Sequence, residues 1–362
     1  MKIFIVCNKL GGGGAERVAV LWANGFSQKK HQVYLITDLL EKVDYSVAED
    51  VTLLQLFFKA SNKYRKYASA ISLIRKYIQT YSPDVIIGVM GVCSLIAKLA
   101  AVGKKKPVIM TEHYAFERPE YAPLTFLEKM FKFYINRIYD CVTVLTEADK
   151  KAIGNRLKRV YVMPNPLVIS PCSGIVEKSN KILAVGRLNG WFVKGFDLLV
   201  KAWELIAAEN PEWTLEIAGT GNDQSFNFLY RLIKESRVAN SVKLIGFQND
   251  VESMYRESSI FVLSSRYEGF GLVLIEAMSQ GCACIACDYG GRQREVIEND
   301  KIGILCHPDN VNELAQAMQK LISDKQYRET LQENALKQVR RYELIKIIEQ
   351  WEELLTTVVI KR

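Results

Sequence analysis

Short apolar runs alternate along the first half of the chain with longer segments whose apolar residues recur every three or four positions. A short apolar run bounded by turn residues is typical of a buried strand, and a spacing of three or four is typical of a helix. The predicted strands are Lys2–Cys7, His31–Thr37, Asp84–Val89, Pro107–Glu112, Asp140–Leu145 and Val160–Met163, with a first helix at Ala15–Ser27. This alternation predicts a parallel sheet covered by helices.

The same alternation starts again after a segment that suits neither a strand nor a helix. Pro164 and Pro166 cannot continue a ladder or a helix, so Met163–Pro166 and the following Ser170–Asn180 are interpreted as a connector. Beyond it, strands are predicted at Lys181–Gly186, Trp213–Gly219, Ser241–Gly246, Ile260–Leu263, Ala283–Ala286 and Ile302–Cys306, helices at Gly195–Ala208, Asn222–Ser236, Asn249–Glu257 and Gly271–Gln280, and a helical tail from Asn310. A chain of 362 residues suits two such domains.

Two predicted helices of the first half, Tyr64–Tyr81 and Leu124–Ile138, carry an apolar stripe beside basic residues. The stripe of the second helix consists of Leu124, Leu127, Phe131, Tyr134 and Ile138. A single stripe predicts the core face of a surface helix. Phe126 and Phe133 form a second apolar line next to Lys129 and Lys132, and such a line is typical of a helix that lies on a membrane.

The positive charge of the chain lies in its first half. Residues 1–170 carry 25 Lys and Arg against 14 Asp and Glu, a balance of +11, and residues 171–362 carry 23 against 26, a balance of −3. This asymmetry suits an anionic partner such as a membrane surface or a nucleic acid, and it is equally compatible with a surplus of solvated lysines. Nucleic acid is disfavoured because the basic half lacks aromatic residues interleaved at a recognisable module spacing.

Composition describes a soluble globular protein, with 49% hydrophobic and 24% charged residues. No apolar run reaches the ~18–20 residues of a spanning helix, and the N-terminus does not resemble a signal peptide. The eight cysteines are dispersed, mostly within apolar runs, which predicts reduced thiols and a reducing compartment. Cys284 and Cys287 form a C-x-x-C with no second pair at zinc spacing, so no metal site is predicted.

Candidate ligand-binding residues of the first half follow predicted strands, where open parallel sheets bind their ligands. Gly11–Gly14 separates a strand from a helix and offers amides that suit a phosphate, although the G-x-G-x-x-G spacing is missing and a flexible loop fits equally well. His113 ends another strand and could donate to a substrate hydroxyl or phosphate; a satisfied core histidine explains this position as well.

The second half carries candidate ligand-binding residues whose pattern is more specific. Arg187 ends a strand and Lys194 opens the next helix, a cationic pair that suits a diphosphate. Glu268 lies in a strand-to-helix loop, and the free amides of Phe270–Val273 at the start of that helix suit an anion or a hydroxyl. Glu276 lies within an apolar stretch of the same helix, so we expect it to have a partner.

These motifs resemble those of the retaining GT-B glycosyltransferases of family 4, over residues from Ile3 to about the end of the chain. The two glutamates with seven residues between them, and Gly-Arg-Leu at 186–188 before Lys-Gly-Phe-Asp at 194–197, carry the resemblance. Gly13–Arg17 and Thr111–His113 are similar to the subgroup that acts in bacterial polysaccharide and lipid-linked glycan assembly. The resemblance implies an α/β fold of two Rossmann-like, doubly wound domains facing across a cleft. It implies an acceptor-binding domain at 1–168 with a crossover helix at 342–362, and a donor-binding domain at 169–341.

The resemblance also implies roles for the candidates, with Glu268, His113, Arg187 and Lys194 as the catalytic set. Arg187 and Lys194 would neutralise the donor diphosphate, and Glu276 would bind the ribose. The sugar hydroxyls would be held by Glu268 and by the amides of Gly269, Phe270, Gly271 and Leu272. The base would be lined by Phe247 and Gln248, and Val273 would also belong to the donor site. From the first domain, Gly13 and Gly14 would lie against the diphosphate, His113 would contact the sugar, and Glu16 and Arg17 would face the acceptor.

The implied activity is that of a retaining, metal-independent hexosyltransferase without a cofactor. It would move a hexose or an N-acetylhexosamine from a nucleotide diphosphate sugar, UDP being favoured over GDP, to a glycan acceptor carried on a lipid. The protein would act in the cytoplasm, peripherally on the inner face of the plasma membrane. Two alternatives are a UDP-sugar epimerase of the same fold, which the paired glutamates disfavour, and a non-catalytic nucleotide-sugar-binding subunit, which the complete motif disfavours.

Two departures from the family pattern bear on this site. Trp191 and Phe192 lengthen the segment between Arg187 and Lys194, so Lys194 could be displaced and Trp191 could enter the cleft. Arg292 and Arg294 follow a glycine pair where the family differs, and they could bind an acidic group of a substrate; surface positions are favoured for both.

Overall fold

The computed structural model describes residues 1–58, 62–174 and 176–360. The chain divides into two compact units, a first unit of Met1–Val168 with Tyr342–Arg362, and a second unit of Ile169–Arg341. Within the described residues, no helix combines the length and the apolar character needed to cross a membrane.

The first unit is built on a parallel sheet in the order β3-β2-β1-β4-β5-β6-β7. Its strands are β1 (Lys2–Val6), β2 (Gln32–Thr37), β3 (Thr52–Gln55), β4 (Val85–Val89), β5 (Val108–Thr111), β6 (Cys141–Val144) and β7 (Val160–Val162). The helices between them are α1 (Gly14–Gln28), α2 (Lys63–Tyr81), α3 (Met90–Ala101), α4 (Phe126–Phe133) and α5 (Glu147–Ile153). The order of the strands reverses between β1 and β4, which makes the loops that follow these strands the expected ligand edge.

The second unit repeats this plan on a parallel sheet in the order β10-β9-β8-β11-β12-β13. Its strands are β8 (Ser179–Val185), β9 (Thr214–Ala218), β10 (Val242–Gly246), β11 (Ser258–Leu263), β12 (Ala283–Cys287) and β13 (Ile304–Cys306). Its helices are α6 (Trp191–Lys194), α7 (Phe196–Ile206), α8 (Asp223–Glu235), α9 (Val251–Glu257), α10 (Leu272–Ser279), α11 (Val311–Ser323) and α12 (Lys325–Gln338). Here the strand order reverses between β8 and β11.

The last helix, α13 (Leu344–Ile360), packs against α1 within the first unit. The fully buried rings of Trp22 and Trp351 meet edge to face with centroids 4.9 Å apart. On the surface, Lys29 and Glu349 form an ion pair at 3.1 Å. Residues 361 and 362 of the expected crossover helix lie outside the described residues.

The two parallel sheets predicted from the sequence are confirmed, and the structure corrects three details. The strand β3 was not predicted, because only Leu53 and Leu54 of its four residues are apolar. Ser179 and Asn180 were assigned to the connector but begin β8. The tail from Asn310 was expected to be helical throughout, yet it breaks between α11 and α12 and again at the 3₁₀ turn Val339–Tyr342.

The predicted helix Leu124–Ile138 is the fourth correction. Its α-helical part is only α4, and a 3₁₀ turn follows at Ile135–Ile138. The stripe expected to face the core is instead exposed, with Leu127 at 68% and Tyr134 at 57% of their full accessibility. Phe133, from the other apolar line, is the ring that packs, with its centroid 5.2 Å from that of Phe116.

The cysteines lie mostly inside the two cores. Seven of the eight are buried and Cys172 is partly exposed. Burial raises the pKa of the Cys7 and Cys141 thiols to about 12 and that of Cys282 to about 11. The reactive species of a cysteine is its thiolate, so these groups should be inert in the folded protein.

We therefore expect a thiol reagent at about pH 8 to label Cys172 quickly in the native protein and the other cysteines only on unfolding. The measurement is the time course of labelling by an aromatic disulfide, with the total of eight counted in denaturant. Cys172→Ser should abolish the fast phase. Rapid labelling of two or more thiols in the native protein would contradict the burial described above.

Candidate functional site

The site of the second unit lies where the strand order reverses. The loop after β8 carries Arg187 and leads to Lys194 on α6, and the loop after the neighbouring β11 carries Glu268 and leads to α10. Because parallel strands end on the same edge of a sheet, the two loops are brought together there. Two of the side chains predicted for the donor, Lys194 and Glu268, are in contact there.

Lys194 and Glu268 form the central contact of this site. The Lys194 ammonium donates to Glu268 Oε2 at 2.6 Å, and both side chains are largely buried. Ser265 Oγ donates to the same oxygen at 3.3 Å, while Ser264 Oγ donates to the Lys194 carbonyl at 2.8 Å. With Trp191 and Phe192 present in the preceding segment, the Lys194 ammonium lies at the Glu268 carboxylate.

Trp191 belongs to the core of the second unit. Its ring stacks on Phe228 of α8 with centroids 4.0 Å apart, and it packs against the hydrophobic cluster beneath α7 and α8. The Trp191 ring, which the sequence suggested could enter a cleft, is thus engaged by the core of its own unit. The turn that follows needs glycine, since Gly195 has a φ of 66° and an added Cβ would overlap the Ser264 carbonyl oxygen.

Arg266 is a residue that the sequence analysis missed. Its side chain is only 7% exposed, and its guanidinium donates two hydrogen bonds, of 2.7 and 2.8 Å, to the Asp197 carboxylate. It also donates to the Phe192 carbonyl at 2.6 Å and to Asp309, and its own amide donates to Val193. Arg266 thus ties the loop after β11 to the segment that carries Lys194. An arginine beside the first glutamate, with an aspartate three residues after Lys194, was the available signal.

The helix α10 presents the second glutamate. It begins after Gly271, whose φ of 85° lies in the left-handed region that glycine adopts readily. Glu276 is 7% exposed, and the partner expected for it is Tyr255, whose hydroxyl donates to Glu276 Oε2 at 3.1 Å. Among the residues before it, Gly269, Phe270 and Gly271 are buried, while Leu272 and Val273 are partly exposed.

Other residues proposed for the donor lie on the same unit and are more exposed. Arg187 projects from the turn after β8 as an exposed side chain. Phe247, in the loop after β10, is 64% exposed and so has a free ring surface on which a base could stack. The neighbouring Gln248 donates from its amide to the Ile245 carbonyl at 2.8 Å, which holds this loop in a tight turn.

The arginine pair after Gly291 is divided between the interior and the surface. Arg294 is 68% exposed as a side chain and pairs with Asp288 at 3.2 Å, as favoured from the sequence. Arg292 is fully buried, so the surface position favoured for it is wrong. Its guanidinium lies over the Tyr289 ring and donates to the Tyr289 carbonyl at 3.3 Å. The Tyr289 ring in turn meets Tyr267, the neighbour of Glu268, edge to face.

The glycine loop of the first unit is lined with carboxylates. Gly13 is the N-cap of α1, and the Glu16 carboxylate lies against it so closely that an added Cβ would overlap it. Asp44 lies in the same way against Gly11. Arg17 stands over the ring of Tyr45, whose hydroxyl donates to the Gly13 carbonyl at 3.0 Å. A diphosphate at this loop therefore requires Glu16 to turn away.

His113 follows β5 in the first unit and is held by its neighbours. Its Nε2 lies 3.1 Å from Thr111 Oγ1, and its ring centroid lies 5.5 Å from that of Trp22. Burial lowers the pKa of His113 to about 4, while the side chain of Asn165 acts in the opposite direction. The imidazole is therefore neutral at neutral pH, so it can share a proton in a hydrogen bond but carries no charge there.

Two family models match adjacent parts of the chain. Residues 12–170 match the model described as Glycosyltransferase Family 4, and residues 169–338 match the model described as Glycosyl transferases group 1. Together the matches span nearly all of both units.

Two curated relatives match over almost their whole length. An uncharacterized glycosyltransferase of Haemophilus influenzae is 29% identical, over 97% of this chain and 99% of its own. A Campylobacter jejuni protein named GalNAc-alpha-(1->4)-GalNAc-alpha-(1->3)-diNAcBac-PP-undecaprenol alpha-1,4-N-acetyl-D-galactosaminyltransferase is 27% identical, over 99% of each chain.

Solved structures share the fold at low sequence identity. HepE from Anabaena, in complex with UDP and glucose, superposes with a TM-score of 0.80 at 19% identity, over 99% of this chain and 100% of that one. A TarM mutant from S. aureus, in complex with Fondaparinux, alpha-GlcNAc-glycerol and UDP, has a TM-score of 0.80 at 15% identity, over 98% and 99% of the two chains.

We expect Arg266→Ala to lower the free energy of unfolding by about 3–5 kcal/mol, because it leaves the buried carboxylate of Asp197 without its guanidinium partner. Urea denaturation measures this change. Arg256→Ala is the matched control, since its exposed ion pair with Glu252 should contribute less than about 1 kcal/mol. A loss for Arg266→Ala no larger than that of the control would refute the structural role assigned to Arg266.

Proposed function

This chain belongs to the GT-B glycosyltransferases of family 4, and from that membership we propose that it transfers a hexose or an N-acetylhexosamine from a UDP-sugar to a lipid-linked glycan, with retention of the anomeric configuration. The names of its relatives support glycosyltransferase activity in bacterial glycan biosynthesis. UDP is preferred as the nucleotide because structures of the same fold are described in complex with UDP. The lipid-linked acceptor is proposed from the undecaprenol named for two relatives.

The observation that carries this proposal is the contact between Lys194 and Glu268 at the edge where β8 and β11 end. A nucleotide diphosphate sugar offers an anion to the lysine and hydroxyls to the glutamate within one molecule. Arg187 and the amides at the start of α10 add positive potential for the diphosphate. Phe247 would stack on the base, and Glu276 would accept hydrogen bonds from the ribose.

The chemistry follows from where negative charge develops. As the bond between the anomeric carbon and the β-phosphate oxygen breaks, that oxygen gains charge, which Arg187 and Lys194 stabilise. Removal of one such preorganised donor typically costs ~3–4 kcal/mol of transition-state stabilisation. The acceptor oxygen bonds to the anomeric carbon on the same face, and its proton passes to the departing phosphate. His113 of the first unit is a neutral imidazole, and its contact with the sugar stays a prediction from the sequence.

The decisive measurement is a thermal-shift titration with UDP, GDP and ADP in the presence of EDTA. We expect UDP to stabilise the protein, by about 2.7 kcal/mol at 100 times its dissociation constant. Lys194→Ala should strongly weaken this stabilisation, because the diphosphate loses one of its two proposed cations and keeps only Arg187. Glu268→Gln should keep UDP binding, since it releases Lys194, and should lower turnover at least ~100-fold. Metal independence is part of the proposal, and stabilisation by UDP in the presence of EDTA tests it.

Lys181→Ala is the control, because Lys181 pairs with Glu257 at 2.9 Å near the start of β8, away from the loops of the site. Turnover of UDP-sugars, followed by proton NMR, gives the anomer of the product. A product with the inverted anomeric configuration would refute retention but would leave glycosyl transfer standing. Binding of UDP without transfer would favour the non-catalytic subunit, and interconversion of UDP-sugars would favour the epimerase. No response to any nucleotide by a folded protein would remove the basis of the transferase assignment.

We propose in addition that the first unit docks on an anionic membrane surface through α4, and that the protein acts in the cytoplasm at the inner face of the plasma membrane. None of the side chains of α4 is buried. Phe126, Leu127 and Phe131 of α4, with Tyr134 directly after it, form an exposed apolar arc in which each side chain retains 44–76% of its accessibility. Large exposed apolar arcs are rare on soluble proteins unless another surface covers them.

Charge complementarity favours an anionic bilayer as that surface. Arg137 lies over the ring of Tyr134, and Arg156 lies over the ring of Phe133, at 5.1 and 4.6 Å from the ring centres. Lys129 of α4 itself is exposed. When aromatic rings insert into the headgroup region of a bilayer, cations beside those rings lie at the level of the lipid phosphates and can pair with them.

We expect the protein to bind vesicles that contain an anionic phospholipid and to dissociate from them at high salt. It should not bind vesicles of phosphatidylcholine alone. The double variant Phe126→Ser with Leu127→Ser should weaken vesicle binding at least ~10-fold, because it removes the most exposed apolar side chains of the arc. Vesicle co-sedimentation measures this. Tyr230→Ser, which removes an aromatic residue 53% exposed on the second unit, is the control. Unchanged vesicle binding by the double variant, or binding to DNA of comparable strength, would contradict the proposal.

A further inference from the structure

Tyr255 is a fully buried residue with a polar contact to the second glutamate of the donor motif. It lies on α9, and its hydroxyl donates to Glu276 Oε2 at 3.1 Å. Glu276 is itself only 7% exposed. A buried carboxylate is retained only where its oxygens are satisfied, so this hydroxyl helps to stabilise the Glu276 carboxylate at its buried position.

The position of Tyr255 is fixed from both of its ends. The backbone carbonyl accepts hydrogen bonds from Lys178 Nζ at 3.2 Å and from Cys282 Sγ at 3.0 Å. The ring meets Phe261 of β11 edge to face, with centroids 5.7 Å apart. Because the main chain and the ring are both held, the hydroxyl cannot withdraw from the glutamate without disturbing α9.

The Tyr255 hydroxyl acts only as a hydrogen-bond donor in this contact. Burial, followed by the charge of Glu276, raises the pKa of Tyr255 well above its ordinary value. The phenol therefore stays protonated through the physiological range and always donates. Its donation fixes the rotation of the carboxylate and occupies Oε2 from the protein side.

We propose that Tyr255 is a positioning residue for recognition of the donor's ribose, holding the Glu276 carboxylate in the rotation in which it accepts from the vicinal ribose hydroxyls. This inference rests on the proposed donor site, although it does not depend on the base or on the sugar. Tyr255 itself touches no substrate. Its effect should be confined to ligands that carry ribose hydroxyls.

The test compares UDP with 2′,3′-dideoxy-UDP by isothermal titration, for the wild-type protein and for Tyr255→Phe. The wild type should bind UDP more tightly than the dideoxy analogue. Tyr255→Phe should weaken UDP binding about 10- to 100-fold, the range of a hydrogen bond to a charged group, and should leave dideoxy-UDP within about threefold. In steady-state assays the KM for the UDP-sugar should rise while kcat stays within about threefold.

Tyr327→Phe provides a matched control, since it removes a tyrosine hydroxyl in the same unit that donates to the Asp300 carbonyl at 2.9 Å. Equal weakening of both ligands by Tyr255→Phe would mean that the residue is merely structural. Unchanged UDP affinity would overturn the inference as well. If the wild-type protein binds UDP and 2′,3′-dideoxy-UDP equally well, recognition of the ribose hydroxyls is refuted, but the proposed diphosphate site is not. A wild type that binds neither would overturn the proposed donor site itself.

Discussion

The organisation of the second unit's site depends on one buried guanidinium. Arg266 holds Asp197 with two hydrogen bonds and reaches the Phe192 carbonyl, so a single side chain joins the loop after β11 to the segment between β8 and α7. A charge taken out of water is tolerated only when it is paired and its hydrogen bonds are satisfied. The two loops therefore adopt their positions together, and the position of Lys194 beside Glu268 follows from that.

The proposed donor groups are held by internal partners before any ligand arrives. Lys194 neutralises Glu268, Tyr255 donates to Glu276, and in the first unit Glu16 covers the glycine loop. These partners limit the penalty of keeping charges in a partly desolvated site. They also favour a ligand that can replace both sides of the Lys194–Glu268 pair at once, and a sugar diphosphate combines the required anion and hydroxyls in one molecule.

The sequence predicted the plan of both sheets, and the reason is that parallel βα units leave a repeating local pattern. The prediction from the sequence failed where one pattern was compatible with two different structures. In α4, periodicity identified two apolar lines but not which one packs, and Phe133 rather than the longer stripe turned out to contact the interior. Arg292 was assigned to the surface, yet it is fully buried, and its guanidinium lies over the Tyr289 ring and donates to the Tyr289 carbonyl.

The sequence by itself determined the βα alternation, the glycines that permit the turns at Gly195 and Gly271, and the spacing of the two glutamates, because each is a property of residues close together in the chain. Only the tertiary structure decided that Lys194 meets Glu268, that Arg266 meets Asp197 and that Tyr255 meets Glu276. These contacts join residues 74, 69 and 21 positions apart. Helical and strand periodicity extends over only a few residues, so contacts at these separations exist only once the strands have taken their order in the sheet.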